Sequence, residues 1–115
     1  MANTFKLVTK AGVTTADVIY TVAGSTTTVI LGIMLGNTTT SQVTSTVTIE
    51  SDTGSRSGNN DEANQNVELV TNAPIPSGAS LELLAGNKVI METTDVLKLT
   101  STGATDIALS IMEIT

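Results

Sequence analysis

Residues 74–114 run PIPSGASLELLAGNKVIMETTDVLKLTSTGATDIALSIMEI, and this stretch decides the fold class. In Leu81-Glu82-Leu83 and Leu97-Lys98-Leu99 an apolar pair brackets a charge, the period-2 signature of a half-buried strand. Ile107, Leu109 and Ile111 extend the alternation over a longer run. Between these segments lie Gly86-Asn87, Thr93-Thr94-Asp95 and Ser101-Thr102-Gly103. They are turn chemistry: Gly supplies positive φ without steric cost, and Asn, Asp and Ser bond their own backbone. Four strands laid end to end predict an antiparallel meander.

The same signature continues towards the amino terminus. Val43, Val47 and Ile49 alternate with Thr44, Thr46 and Thr48, which predicts a strand with one wet face. Residues 27–35 carry the run VILGIML, apolar on both sides of a strand and therefore covered on both. Gly32 inside it signals a bulge or a close backbone approach. A first strand is expected over residues 4–9, a turn at Ala11-Gly12, and a second strand over residues 18–22. Val67 and Leu69 resume strand character after a polar stretch, and Pro74 and Pro76 keep the link over residues 71–76 out of a central ladder position.

Thr is about one residue in five, and Val, Ile and Leu fill most apolar positions, a composition suited to pleated, half-buried surfaces. No segment repeats apolar residues at i, i+3 and i+4, so essentially no helix is expected. The reading is all-β: an antiparallel two-sheet sandwich, jelly-roll-like, with about eight or nine short strands. Residues 1–115 form a single domain in this reading, and residues 51–66, SDTGSRSGNNDEANQN, form a long polar surface loop.

Composition excludes much chemistry. The chain has no Cys and no His, which removes thiolate chemistry, zinc-thiolate sites and the commonest general base. A net charge of −6, with Lys6, Lys10, Arg56, Lys88 and Lys98 scattered, argues against nucleic acid as a partner. Phe5 and Tyr20 are the only aromatics, too few to stack bases or sugars. Lys88 and Lys98 lie among hydroxyls on expected strands, but no S-x-x-K set accompanies them. Glu92 and Asp95 are spaced across a turn, where an Asp bonding its own backbone explains them better than a carboxylate pair. Asp52, Asp61 and Glu62 offer oxygen ligands for calcium, but the EF-hand spacing fails after Asp52. No phosphate-binding GxxxxGK[ST] is present. The expectation is no enzyme, no cofactor and no metal site.

One property asks for a positive explanation. Mean hydropathy is positive and only 14% of residues are charged. The longest apolar run, residues 29–35, is far short of the roughly 20 residues of a membrane helix. The opening MANTFKLVTKAG lacks the apolar core of a signal peptide. Another protein surface is the simplest cover for the surplus. The candidates for that interface are Phe5, Ile30, Met34, Met112 and Ile114. On the last strand Ile107, Leu109 and Ile111 share one face, and Ala108, Met112 and Ile114 the other. The second face is either intersheet packing or a subunit interface.

The phrases over residues 74–81, 86–99 and 106–115, with TFKLVTKAGV (residues 4–13) and TTTVILGIMLGN (residues 26–37), resemble small virion proteins of tailed bacteriophages, marine and cyanobacterial phages among them. In those proteins a "pIPaGssL" phrase precedes "G-x-K-hhLE-x-x-D-hhxh" and a closing strand that ends near a glutamate. The resemblance implies a non-enzymatic virion component, assembled in the host cytoplasm. Its partners would be the major capsid protein or other virion proteins, and it would be a homo-oligomer, a trimer by preference. A capsid decoration or cement role comes first, with a neck, tail or fibre-associated component as the alternative and a free carbohydrate-binding or adhesion module as a third.

Overall fold

The inner faces of two antiparallel sheets enclose a core that draws on nearly every strand. The structure, a computed structural model, describes residues 2–51, 65–84 and 86–115. Among these, nine strands occur: β1 (Asn3–Val13), β2 (Asp17–Thr21), β3 (Thr27–Asn37), β4 (Val43–Glu50), β5 (Asn66–Ile75), β6 (Ser80–Leu83), β7 (Val89–Met91), β8 (Val96–Ser101) and β9 (Thr105–Ile114). One sheet has the order β1-β9-β3-β6, with β7 also paired to β3; the other has the order β2-β8-β4-β5. No helix occurs among the described residues.

The pairings make this a jelly roll. β1 pairs β9, β2 pairs β8, β3 pairs both β6 and β7, and β4 pairs β5, each antiparallel. That is one long hairpin, its returning arm split in one place, rolled so that β3 also meets β9 and β4 meets β8. Double-sheet jelly rolls are built this way. The expected meander over residues 74–114 is therefore corrected. None of β6, β7, β8 and β9 pairs with its sequence neighbour. Turn residues specify that the chain reverses; they do not specify whether the next strand stays in its sheet or crosses to the other.

Burial follows the alternation. β4 reads buried and half-buried by turns along its whole length, with Val43, Ser45, Val47 and Ile49 inward. Leu97 and Leu99 of β8 face Ile107, Leu109 and Ile111 of β9 within one buried cluster. At about 1.5–3 kcal/mol per fully buried large aliphatic side chain, that cluster is the dominant stabilising term. Four strands are ten or eleven residues long, longer than the short strands expected. β1 runs straight through the expected Ala11-Gly12 turn, which is a register shift between Lys10 and Val13 with Gly12 at φ 67°. Pro74 lies on β5, an edge strand, where its missing N–H costs no ladder bond.

One end of the sandwich is closed by polar side chains. Asn37 is buried, donates from Nδ2 to the carbonyls of Ser41 (2.8 Å) and Ile75 (2.9 Å), and accepts from the Thr39 N–H and hydroxyl on Oδ1. All its bonding capacity is used, as a buried amide requires. Inside the core, the hydroxyls of Ser45, Ser101 and Thr105 form a chain ending on the Gly103 carbonyl. Gly103 sits so close to Val43 that a Cβ would lie 2.7 Å from its methyl carbon. The expected polar loop over residues 51–66 lies almost wholly outside the described residues; at its margins the Ser51 N–H donates to the Gln65 carbonyl at 2.7 Å.

Two substitutions test this packing. Gly103→Ala forces Val43 out of place and should lower unfolding free energy by about 1–3 kcal/mol. Asn37→Ala removes a buried amide that bonds the Ile75 carbonyl and the Thr39 N–H and should lower it by about 2–3 kcal/mol. Urea unfolding of each variant checks both values, and an unchanged midpoint would contradict the packing described.

Candidate docking face

The outer face of the β1-β9-β3-β6/β7 sheet is where apolar side chains meet solvent. Register alone places them. Phe5 pairs with Met112, Met112 with Val29, and Val29 with Ile90. Residues in register across a sheet point to the same side. These four therefore form a continuous apolar row across β1, β9, β3 and β7. Phe5 is 72% exposed and Ile90 65%, while Met112 and Val29 between them are half-buried. Leu7, 68% exposed, lies in the next row on the same face, opposite Ser110 and Gly32. Met34, 48% exposed, follows in register with Ala108.

Small residues flank Met34 and leave the face hollow there. A depression of ≈ 340 Å³ is lined by Thr9, Ala108, Met34 and Gly36, with Asp106 and Ser80 among its other walls. A second, of ≈ 230 Å³, is lined by Gly32, Ser110, Ala108 and Glu82. The sheet thus carries a raised apolar row at one end of its strands and a trough at the other.

Four of the five interface candidates, Phe5, Met34, Met112 and Ile114, lie on this face. Ile30 does not: it is fully buried and points into the core. The correction has a local cause. Leu31 is an extra residue between Ile30, opposite Ile111, and Gly32, opposite Ser110, a bulge in which two residues oppose one. Strict alternation puts Ile30 and Met34 on one side; the extra residue reverses the count, so Ile30 joins Ile33 and Leu35 inside. Gly32 beside the bulge was the signal that a shift was due. Leu7, Val29 and Ile90 were missed because each shows its exposure only through cross-strand register.

The exposed edge strand β1 is held by charge. Lys6 lies 2.7 Å from Glu113, and Lys10 lies 3.6 Å from Asp17. Glu113 also accepts from the Tyr20 hydroxyl at 2.5 Å, and that hydroxyl lies 2.7 Å from the Thr28 hydroxyl. This latch joins β2 of one sheet to β1, β3 and β9 of the other. Burial first, and then the bond to Glu113, push the Tyr20 phenol up to about 12, against a smaller opposing effect of Thr28. The bonds from Lys6 and Tyr20 hold the Glu113 carboxyl below its usual range.

The candidates for chemistry are absorbed by structure. Asp95 is buried, its Oδ2 accepts the Glu92 N–H at 2.9 Å, and its own N–H donates to the Glu92 carbonyl at 3.0 Å; it shapes its turn. Lys98 is 2.7 Å from Glu50. Lys88 precedes β7 instead of lying on a strand, as expected, and is exposed. Asp52, Asp61 and Glu62 lie outside the described residues. Among the described residues no three acidic side chains gather as a metal site would require, and no helix is long and apolar enough to cross a membrane.

No family model matches the chain, and no curated protein is significantly similar to it. A solved structure described as "Bacillus endospore appendages form a novel family of disulfide-linked pili" is similar over 99% of this chain and 87% of that one, at 17% identity and a TM-score of 0.48. A likeness of that size carries no functional argument, and the fold rests on the strand pairing above.

The latch gives a direct spectroscopic prediction. Stability from the raised Tyr20 pKa is complete below pH 10 and is lost as pH rises through 12, because the unfolded chain releases the phenol proton first. Stability from Glu113 is present above its ordinary range and is lost as pH falls through its lowered value. Tyr20 is the only tyrosine, so phenolate absorbance should titrate near 12 in the native protein and near 10 in denaturant. A native midpoint near 10 would show the latch is not closed.

Proposed function

We propose that this chain is a non-enzymatic structural protein of a phage particle, acting first as a decoration or cement protein on the outer surface of the capsid lattice. The observation that carries a docking role is the apolar row from Phe5 to Ile90 on the outer face of a sheet that, among the described residues, has no second layer over it. Soluble proteins rarely expose a contiguous apolar face of this kind unless another surface covers it. The resemblance of residues 74–99 and 106–115 to tailed-phage virion proteins supplies the particle.

The electrostatics support an outward position. A net charge of −6 suits the outside of a particle better than contact with its genome. A carbohydrate-binding role is less well supported. Tyr20 has its hydroxyl engaged in the latch, which leaves Phe5 alone on the exposed face, whereas sugar faces pack on rings.

Quantitative mass spectrometry of purified particles tests the placement. A copy number near that of the major lattice protein is the expected result. A handful of copies per particle would move the chain to the neck or tail, and none would remove it from the virion.

A further inference from the structure

We infer that the outer face of the β1-β9-β3-β6/β7 sheet is a self-complementary surface, and that its occupant is a second copy of this chain packed face to face about a two-fold axis. The inference rests on the docking reading of this face above but gives the face to a second copy, so that contact with a lattice falls to other surfaces of the pair. It departs from the trimer implied by the resemblance, because the contact it describes is two-fold.

Shape is the first argument. The row of Phe5, Met112 and Val29 stands at one end of the strands, and the trough around Ala108 and Met34 at the other. The row of Leu7, Ser110 and Gly32 lies midway between them. A two-fold axis through that middle row, perpendicular to the strands and lying between the sheets, reverses strand direction and keeps strand order. It sets each copy's raised row over the other's trough, with Phe5 and Met112 entering the hollow of ≈ 340 Å³. Leu7 of the two copies then meets across the axis, and Ser110 faces Ser110. Ridge and hollow on one surface are what an isologous interface needs.

Size agrees. Four strands at about 4.8 Å spacing and the ten residues of β9 at about 3.4 Å rise give a face of roughly 19 by 34 Å. Two such faces cover on the order of 1,300 Å², which reaches the range of specific, stable interfaces. Net charge opposes self-association in general; the rows of Phe5 and Leu7 across β1, β9 and β3 carry no ionisable side chain, and Asp106 and Lys10 stand at the far wall of the trough. At the β6/β7 rim, Glu82 and Lys88 are both exposed and lie at different levels along the strands. The two-fold keeps Lys88, level with Gly32, near the axis and sets Glu82, level with Met34, across from Ile90 of the other copy, so the contact rests on shape and area and gains nothing from charge pairing at the rim.

Sedimentation equilibrium and thiol protection test this together. The wild-type chain should shift from 11.8 kDa to twice that mass as concentration rises through the micromolar range. The double variant Phe5→Ser/Ile90→Ser changes only exposed side chains. It should unfold at the same denaturant concentration as wild type and weaken association by about a hundredfold. Because the chain has no Cys, Ser110→Cys and Thr100→Cys each carry one probe, on opposite outer faces. With the mass of S110C matching wild type, its thiol should resist a maleimide at high concentration and react on dilution, while T100C reacts at both. A wild-type mass of 11.8 kDa at every concentration would overturn the inference, and so would a dimer in which S110C stays reactive. Particle copy number does not depend on either result, so the virion placement and the self-contact stand or fall separately.

Discussion

The pairing of β3 with β9 is the constraint from which the rest follows. These are inner strands of their sheet, and both carry apolar side chains on each side. Ile30, Ile33 and Leu35 align with Ile111, Leu109 and Ile107 on the inner side; Val29 and Met34 align with Met112 and Ala108 on the outer side. The inner set is covered by the second sheet. Among the described residues the outer set has no covering layer, and burying apolar surface is the largest favourable term available to the chain. The fold therefore covers one side of its central ladder and leaves the other side uncovered among the described residues.

The bulge at Leu31 decides how that division falls. Without the extra residue, Ile33 and Leu35 would turn outward if Ile30 faced in, because a one-residue slip moves every later side chain to the opposite face. With it, the larger β-branched and γ-branched residues stay inside, and Gly32, Met34 and Gly36 face out. Two glycines around a methionine produce the trough. One local irregularity thus fixes both the core and the relief of the exposed face.

Much of this was legible in the sequence, for physical reasons. Period-2 alternation in residues 43–49 and 107–111 is a property of single strands, so it revealed strand, face and core at once. Pairing partners are not. Leu81 to Leu83 pairs with β3, and Leu97 to Leu99 with β2 and β4, although the turns joining these segments look like hairpin turns. Long-range register decides sheet membership and leaves no local mark. The same gap accounts for the interface residues. Met112 and Ile114 could be assigned to the outer face because β9 is regular, whereas Ile30 was misplaced by a bulge and Ile90 was overlooked on a three-residue strand.

Methionine side chains offer the most direct measurement of the central claim, that this face is covered by protein when the chain is at work. Met34 and Met112 lie on it, and Met91 is fully buried in the core, so oxidation by peroxide reports face and core separately in unmodified protein. In the dilute chain Met34 and Met112 should oxidise readily and Met91 slowly. In the assembled state Met34 and Met112 should become nearly as slow as Met91. Unchanged oxidation of Met34 and Met112 on assembly would contradict the account, since the face would then still be open to solvent.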